Sequence, residues 1–306
     1  MVAEPPRAQA CSNGVTLISS DAPVPLFESI LHPSDFSEAS ELAFAHALRL
    51  ALAGHAKLEL LHSHPGLRDS RWQDFPAVRK TLERWGQLPE GSPRSALRDS
   101  LGIQVDKVVS THHTSPVEAI LGYLLRGGVD LIVLGTQGRD GLPRWLHRST
   151  AEPVARRSET STLFIPQGAR GFVSAQDGAV SLERILIPVD SEPAADAALA
   201  SAASLGQLLD TQVRATLLHV GEASSVPTLE PPRDDFVTWE FETRPGPVVD
   251  TILATATENA ADLIVMPTAG HEGFLDALRG STTERVLRRA PCAVLAVPSR
   301  VSLNPA

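Results

Sequence analysis

The chain has 306 residues, of which 42% are apolar, and it carries a formal net charge of −9 at pH 7. Such a length suits two domains of ordinary size, and the negative charge argues against a nucleic-acid partner that is held through its phosphates. The two cysteines, Cys11 and Cys292, are too far apart in sequence to suggest a disulfide framework or a metal site. No run of about 18 apolar residues predicts a membrane span, and MVAEPPRAQACSNG at the start is unlike a signal peptide. We therefore expect a cytoplasmic protein without a membrane partner.

Short apolar runs alternate with Ala/Leu-rich segments along the first half of the chain. Residues 1–24 are small and polar and predict a disordered tail. The apolar runs that follow, each bounded by turn residues, are SILHP, LELLH, DLIVLG and TLFIP. Between them, SELAFAHALRLALAG and PAVRKTLERWG have the composition of helices. Such short runs are typical of strands that are buried on both faces, so we predict a first domain over residues 25–168.

The second half repeats this alternation after a stretch that has the composition of a linker. Residues 169–182 are rich in Gly, Ser and Ala. The strand candidates that follow are RILIPV, ATLLHV, DLIVMP and AVLAVP, and ADAALASAASLGQLL is the first helix candidate. The segment EASSVPTLEPPRDD holds too many prolines for a helix, so we expect the second helix of this domain to be shortened or missing. The second domain is predicted over residues 183–299, before a tail at 300–306.

The two halves are copies of one another. Residues 130–154 and 262–286 align without a gap, with DLIVLGTQG opposite DLIVMPTAG and RSTAEPV opposite GSTTERV. A repeat period of about 130–155 residues indicates a duplicated domain and not a solenoid. Since strands and helices alternate within each copy, we predict a doubly wound parallel α/β sheet.

In each copy a strand, a glycine-rich loop and a Ser-Thr-x-Glu sequence follow one another. Ser149 with Glu152, and Ser281 with Glu284, have the spacing of a helix capping box. The free N–H groups and the positive end of such a helix favour a phosphate, and small residues in the preceding loop allow it to approach the backbone. The pattern therefore predicts an anion site at the carboxyl edge of the sheet.

These segments resemble the universal stress protein family in its tandem form, with two UspA-like domains in one chain. The resemblance covers nearly the whole chain and is strongest in residues 245–298, where GPVVDTI, DLIVM and GSTTERVLRRAPCAVLAVP fit. It implies an α/β fold of two doubly wound, open, parallel five-stranded sheets of the adenine-nucleotide α-hydrolase-like type, with strand order 3-2-1-4-5 and a pseudo-twofold arrangement. It also implies that the last strands, TLFIP at 162–166 and AVLAVP at 293–298, pair with each other.

The nucleotide-binding members of this family carry Gly-x2-Gly-x9-Gly-(Ser/Thr) after the fourth strand and an Asp just after the first strand. In the first domain the matching nucleotide-binding candidates are Asp35, Gly135, Gly138, Arg139, Arg148, Ser149 and Thr150, with Arg148 in place of the third glycine and Arg139 as an added cation. In the second domain they are Asp190, Gly270, Gly280, Ser281 and Thr282, with Pro267 in place of the first glycine. Neither motif is intact, because each has lost one glycine. Proline lacks the N–H group of the residue it replaces, and arginine adds bulk where a ligand should approach the backbone.

The resemblance implies a stress-response protein that binds ATP or a related adenine nucleotide, with Mg²⁺ as an accompanying ion, in one domain while the other has degenerated. We favour the first domain because its loop keeps two glycines and adds Arg139. We find no dedicated base and no second carboxylate, so we expect at most slow ATP hydrolysis. A homodimer of the tandem chain is a further expectation. The alternative that the two broken motifs favour is a scaffold or sensor module that binds no nucleotide.

Histidines of the first domain suggest a different chemistry. His32 lies in the first strand and His62 and His64 lie at the end of the second, while His112 and His113 end a third strand that precedes DLIVLG. In the strand order that the family implies, these strand ends are neighbours and would bring the imidazoles and Asp35 to one crevice. Three imidazoles, or two with a carboxylate, could hold Zn²⁺ and support proton transfer or hydrolysis. The simpler alternative is that these are partly exposed histidines at the sheet edge without a ligand.

Overall fold

The computed structural model describes residues 27–63, 74–111, 116–136, 160–169, 171–268 and 282–299. Within these residues, ten strands form a single sheet. The strands of each half run parallel to one another, and helices cover both faces of the sheet. This confirms the α/β class that the alternation of apolar runs and helical segments predicted.

The two halves have the same strand order. The strands of the first half are β1 (Ser29–Pro33), β2 (Lys57–Ser63), β3 (Gln104–Ser110), β4 (Leu131–Thr136) and β5 (Ser161–Pro166). Those of the second half are β6 (Arg184–Pro188), β7 (Val213–Val220), β8 (Val237–Arg244), β9 (Leu263–Thr268) and β10 (Ala293–Pro298). The order across the sheet is β3-β2-β1-β4-β5-β10-β9-β6-β7-β8, which is 3-2-1-4-5 within each half. After β1 the chain moves toward β2, and after β4 it moves toward β5, so a crevice opens between the carboxyl ends of β1 and β4.

Helices form one layer on each face of the sheet. They are α1 (Glu38–Gly54), α2 (Val78–Arg84), α3 (Ala96–Asp99), α4 (Pro116–Leu124), α5 (Asp196–Leu208), α6 (Val248–Glu258) and α7 (Thr282–Leu287). The core on one face draws buried residues from α1, α2, α3 and α5, and the core on the other face draws them from α4, α6 and α7. Each core includes residues of both halves. In the described part of the chain, no helix has both the length and the hydropathy that a membrane crossing needs.

The antiparallel pairing of β5 with β10 joins the two halves. The register places Phe164 opposite Val294, Leu163 opposite Leu295 and Thr162 opposite Ala296. All of these side chains are buried. Because an apolar strand at an open edge would attract another chain, each half protects the edge of the other. The expectation that the last strands meet is confirmed.

Residues 171–182, which fall in the predicted linker, form a small hairpin that packs on the first half. An antiparallel bridge joins Val173 to Val180. At the end of α2, the indole N–H of Trp85 donates to the carbonyl oxygen of Ala175 over 3.3 Å. The segment is rich in small residues and has no apolar period, which is why the sequence predicted a connection and not a packed element.

The buried imidazole of His46, on α1, anchors this hairpin. Its Nε2 accepts the N–H groups of Phe172 and Val173, each over 3.1 Å, and its Nδ1 donates to the carbonyl oxygen of Leu42 over 2.8 Å. Burial lowers the pKa of His46 from 6.5 to about 4, so the ring is neutral and Nε2 can accept. A Cβ at Gly171 would lie 2.5 Å from Cε1 of this ring, so the close approach requires glycine. One neutral histidine therefore holds the hairpin to the first half.

Asp130 and Asp262, which open the two DLIV repeats, have the same structural role. Oδ2 of Asp130 accepts the backbone N–H groups of Glu28 and Ser29 over 2.8 and 2.9 Å. Oδ2 of Asp262 makes the matching pair of bonds, 2.9 Å each, to the residues that lead into β6. Each carboxylate thus ties the fourth strand of its half to the start of the first strand, and this role explains why the aspartate is repeated.

The second half lacks the helices that follow the second strand in the first half. Between β7 and β8 the chain forms only a three-residue 3-10 turn, Ala223–Ser225. The indole N–H of Trp239, on β8, donates to the carbonyl oxygen of Pro232 over 3.1 Å, so the proline-rich loop lies against part of this strand. Phe241, on the same face of β8, is 50% exposed. The face of β8 that corresponds to the covered face of the first half is partly open.

We expect the free energy of unfolding to fall as the pH is lowered from 6.5 to 4, in part through His46. The folded ring has the lower pKa, so the unfolded state binds more protons within this window, and the stability present above pH 6.5 is lost toward pH 4. The full shift in the pKa of His46 corresponds to about 3 kcal/mol in the free energy of unfolding. His46→Gln keeps a side-chain acceptor and should lose this part of the pH dependence in urea unfolding.

His46→Phe is the matched control, because it keeps an aromatic ring against Phe172 but has no acceptor. It should also lose the pH dependence and, in addition, be less stable than His46→Gln at pH 7 because the two N–H groups lose their acceptor. An unchanged pH dependence in both variants would contradict the anchoring role of the neutral ring.

Asp262→Ala should cost more stability than Asp130→Ala. Asp262 is fully buried, so its removal deprives the N–H groups of Glu183 and Arg184 of their acceptor, at about 1–3 kcal/mol per group. Asp130 is exposed, so water can replace its carboxylate, and we expect a loss of about 1 kcal/mol. Urea unfolding of the two variants checks the difference, with Asp262→Asn as the variant that keeps an acceptor. Equal losses at the two positions would be inconsistent with this account.

Candidate functional site

A cleft lies in the first half at the carboxyl ends of β1, β2 and β4, and the first turns of α1 and α4 complete its walls. We call it the first cleft, and its main lining residues are Ser34, Asp35, Ser40, His62, Ile120 and Gly135. Its volume is about 270 Å³. It occupies the crevice between β1 and β4, the place where open parallel sheets bind ligands. Of the predicted site residues, the structure brings Asp35, His62 and Gly135 together here.

The loop that carries Asp35 is fixed by the cap of α1. Oδ1 of Asp35 accepts the N–H of Ser37 over 3.0 Å and its hydroxyl over 2.6 Å. Oγ of Ser37 accepts the N–H of Ser40 and so caps the helix. Phe36, between Asp35 and Ser37, has a φ of 63°, a backbone conformation that is costly for a bulky residue. Its ring stacks on that of His62 at a centroid distance of 4.2 Å. The loop is therefore held with the Asp35 side chain exposed.

Behind Asp35, a chain of hydrogen bonds leads from the floor of the first cleft into the core. Oγ of Ser34 lies 2.8 Å from Oγ of Ser40, which lies 3.3 Å from Nε2 of His32. Nδ1 of His32 donates to the carbonyl oxygen of Val133 over 2.9 Å. Burial lowers the pKa of His32 from 6.5 to about 4, so the ring is neutral. We name Ser34, Ser40 and His32 the hydroxyl–imidazole chain.

Of the three residues in this chain of hydrogen bonds, only His32 was predicted from the sequence as a site residue; Ser34 and Ser40 were not. The signal that could have found them is their position, one directly after the first strand and the other in the first turn of the helix that follows. Both side chains are buried, at 6% and 5% exposure, and both line the first cleft. A buried hydroxyl at the carboxyl edge of a parallel strand needs a polar partner, and the partner is supplied by another element, which the sequence does not show.

The described residues do not assemble the predicted zinc site. Both ring nitrogens of His32 are occupied by Val133 and Ser40, so this ring has no lone pair left for a metal. Nδ1 of His62 donates to the carbonyl oxygen of Ser34 over 2.8 Å. Within the described ranges, no three His, Cys, Asp or Glu side chains are grouped as metal ligands would be. His64, His112 and His113 lie outside the described residues.

The second half has a cleft at the corresponding place, which we call the second cleft. Its lining includes Pro188, Val189, Asp190, Ile252, Pro267 and Thr282, and its volume is about 260 Å³. Ile187 and Val189 stand where the first half has His32 and Ser34, so the hydroxyl–imidazole chain has no counterpart there. The two clefts are nearly equal in size and differ in chemistry.

The glycine that the second motif lacks has a packing role in the first half. A Cβ at Gly135 would lie 2.5 Å from the carbonyl oxygen of Ala39, in the first turn of α1. Pro267 has the same place in β9 that Gly135 has in β4. α1 begins three residues after Asp35, whereas α5 begins six residues after Asp190. Because α5 begins about one turn later, its first turn does not require glycine at this place in the neighbouring strand.

The remaining motif residues cannot be placed. Gly138, Arg139, Arg148, Ser149 and Thr150 of the first motif and Gly270, Gly280 and Ser281 of the second lie outside the described residues. Thr282 begins α7 and lines the second cleft. The assignment of these residues to a nucleotide stays a prediction.

Two α/β units of order 3-2-1-4-5, joined through their last strands and each with a cleft at its carboxyl edge, define a tandem protein of the adenine-nucleotide α-hydrolase-like class. The model of the universal stress protein family matches residues 26–166 and 228–298. The chain belongs to this family. No curated protein is significantly similar to it in sequence.

Solved structures share the tandem fold. A universal stress protein from Archaeoglobus fulgidus DSM 4304 is 21% identical with a TM-score of 0.56, and the match covers 89% of this chain and 99% of that one. A functionally unknown protein from Pseudomonas aeruginosa PAO1 is 16% identical with a TM-score of 0.54, over 89% of this chain and 92% of that one. A universal stress protein in complex with cAMP is 18% identical with a TM-score of 0.29, over 39% of this chain and 99% of that one. At such identities, the first two likenesses show the fold alone.

Gly135→Ala should destabilise the first half. The new methyl group would meet the backbone of Ala39, so the first turn of α1 must shift, at about 1–3 kcal/mol. The control is Gly54→Ala, at the other end of α1, where a Cβ has only ordinary contacts at 3.5 and 3.6 Å and alanine favours the helix. Urea unfolding should show a loss for the first variant and none for the second. A neutral Gly135→Ala would mean that packing does not require this glycine.

Proposed function

We propose that this chain is a cytoplasmic stress-response protein that binds ATP or a related adenine nucleotide in the first cleft, while the second cleft no longer does so. The observation that carries the proposal is the difference in chemistry between two clefts of nearly equal volume. At the end of its first strand the first cleft has a buried hydroxyl backed by an imidazole, whereas the second has Ile187 and Val189. Ligand sites need a few placed polar groups in addition to apolar walls.

The first cleft offers a partner for each part of a nucleotide. Oδ1 of Asp35 is held by Ser37, so Oδ2 is the oxygen that suits a ribose hydroxyl or an amino group of the ligand. Leu61, Ile120 and Leu134 supply apolar lining for a base. The glycine-containing motif at residues 137–150 directly follows β4 in the sequence, and its three arginines suit phosphate oxygens. These cleft residues suit a nucleoside, and the motif that follows β4 in the sequence suits its phosphates.

The described residues support binding better than turnover. Asp35 is the one carboxylate among the described residues that line the first cleft. Mg²⁺ would therefore be held mainly by the phosphates, as this ion commonly is, with Asp35 as the acidic side chain of the described lining. The described lining holds no carboxylate pair for acid–base work, so hydrolysis, if it occurs, is slow.

The second cleft suits a nucleotide less well. Neither described lining holds a lysine or arginine, but the second cleft has two acidic residues, Asp190 and Glu192, where the first has only Asp35, so its field disfavours phosphate more strongly. Pro267 also removes a backbone N–H at the place of the first motif glycine. We assign the second domain a structural role through the shared sheet.

Isothermal titration with ATP, ADP, AMP and adenosine tests the proposal, with Asp35→Asn and Asp190→Asn as matched variants. Asn keeps an acceptor for Ser37 at position 35, so the loop stays in place while the charge is lost. We expect Asp35→Asn to weaken binding about tenfold or more, since a hydrogen bond to a charged group contributes about 1.5–3 kcal/mol. Asp190→Asn should leave the affinity unchanged.

Three results would contradict the proposal. One is a wild-type protein that binds no adenine nucleotide at millimolar concentration, which favours the scaffold alternative. Another is a loss of affinity in Asp190→Asn and not in Asp35→Asn, which moves the site to the second cleft. The third is a stoichiometry of two equal sites in each chain.

A further inference from the structure

We propose that the hydroxyl of Ser34 determines specificity in the first cleft, because the hydroxyl–imidazole chain fixes it as an acceptor that takes an N–H or O–H donor of the bound molecule. This inference rests on the proposed function and deepens it. It names the group that recognises the nucleoside and the kind of ligand atom that the group selects.

The direction of the hydrogen bonds in the hydroxyl–imidazole chain follows from its inner end, at Val133. The carbonyl oxygen of Val133 can only accept, so the hydrogen of the neutral imidazole of His32 is on Nδ1. Nε2 therefore carries the lone pair, and the hydroxyl of Ser40, 3.3 Å away, donates to it. Because the one hydrogen of Ser40 is used in this way, its oxygen accepts the hydrogen of Ser34 over 2.8 Å. Every hydroxyl hydrogen in the chain points away from the cleft.

At the outer end of the hydroxyl–imidazole chain, the oxygen of Ser34 keeps one acceptor position for a ligand. A hydroxyl oxygen has two lone pairs, and the N–H of Phe36 takes one of those on Ser34 over 3.3 Å. The other is available to the first cleft, which Ser34 lines. Since Ser34 is only 6% exposed, the ligand group that reaches it is small and must lie at the floor of the cleft.

An acceptor at this position discriminates among nucleotides. It suits the exocyclic amino group of adenine or a ribose hydroxyl, and it disfavours a keto oxygen, which would face a lone pair. A site built to hydrogen-bond one group rejects an analogue that lacks it, because a buried polar atom is then left without its partner. The first cleft should therefore separate nucleotides by a donor on the nucleoside and not by their phosphates.

The second half has a cleft at the same place without the hydroxyl–imidazole chain. Ile187 and Val189 replace His32 and Ser34, yet β6 still pairs in register with β7 and β9. The fold of the strand therefore does not need a polar residue at either position, although a buried polar residue must have its hydrogen bonds satisfied. This contrast favours a role in recognition over a role in packing alone.

The test compares ATP with 2′-deoxy-ATP, 3′-deoxy-ATP and inosine triphosphate in titrations of the wild type and of Ser34→Ala. We expect Ser34→Ala to weaken ATP binding about threefold to tenfold, the range for one neutral hydrogen bond. For the one analogue that lacks the N–H or O–H donor bound by Ser34, the wild type and Ser34→Ala should have the same affinity. Loss of the penalty with inosine triphosphate identifies the adenine amino group, and loss with a deoxy analogue identifies the ribose hydroxyl.

Ser40→Ala separates recognition from structure, because it keeps the Ser34 hydroxyl but removes the partner that orients it. The freed hydroxyl can donate as well as accept, so the preference for ATP over the matching analogue should shrink while overall affinity falls less than in Ser34→Ala. Val189→Ala, at the equivalent place in the second half, is the control and should change neither affinity nor preference. Thermal unfolding of each variant verifies that it folds.

The outcomes separate the two proposals. If the wild type binds no nucleotide, the proposed function fails and this inference fails with it. If the wild type binds and Ser34→Ala has no effect, or has the same effect on all four nucleotides, only the inference on Ser34 is overturned. An unchanged preference in Ser40→Ala would overturn the role of the chain in orienting Ser34.

Discussion

The antiparallel pairing of β5 with β10 is the interaction on which the rest of the structure depends. It converts two open sheets into one and lets each helix layer rest on a core that runs through both halves. Without it, each half would expose a row of unpaired backbone groups along an apolar strand. The hairpin at residues 171–182 adds a second connection, since it packs on α1 and α2 while the chain passes on into β6.

This pairing also decides where the two clefts lie. All strands within a half run parallel, and the two halves run in opposite directions, so their carboxyl edges are at opposite ends of the shared sheet. A single small ligand cannot reach both clefts. Each cleft was therefore free to change without affecting the other, provided that the strands and cores between them were kept.

The sequence repeat reflects this division between the shared strands and the two separate clefts. Features that hold the sheet together occur in both halves, as the matched bonds of Asp130 and Asp262 show. Features at the clefts have diverged, with a polar chain behind Ser34 in one half and aliphatic residues in the other. The loss of a different glycine in each motif belongs to the same divergence. Gly135 is retained where α1 begins early and packs on β4, and Pro267 occurs where the helix begins later.

Much of the fold could be predicted, because it depends on patterns that are local along the chain. Short apolar runs alternating with helical segments indicated the parallel α/β class, and the prolines of EASSVPTLEPPRDD indicated the missing helix. The hairpin and its anchor, His46, were not predicted. A buried histidine that accepts N–H groups from residues more than a hundred positions away leaves no mark in the sequence around either partner.

The candidate site was predicted only in part. The sequence placed Asp35 and Gly135 at one edge of the sheet, since both directly follow or end a strand. It also selected His32, but as a metal ligand, because the strand order that the family implies brings several imidazoles to one edge of the sheet. In the structure the ring of His32 is buried, and its Nε2 accepts a hydrogen bond from Ser40, which in turn accepts one from Ser34.

The sequence by itself determined the family, the class of fold, the duplication and the edge of the sheet at which ligands would bind. These follow from the order and the period of residue types, which survive duplication. Only the tertiary structure decided which of the two similar halves keeps a polar cleft floor and in which direction its hydrogen bonds run. The reason is physical: the direction of a hydrogen-bond chain is set at its far end, here by the carbonyl oxygen of Val133, which can accept but never donate.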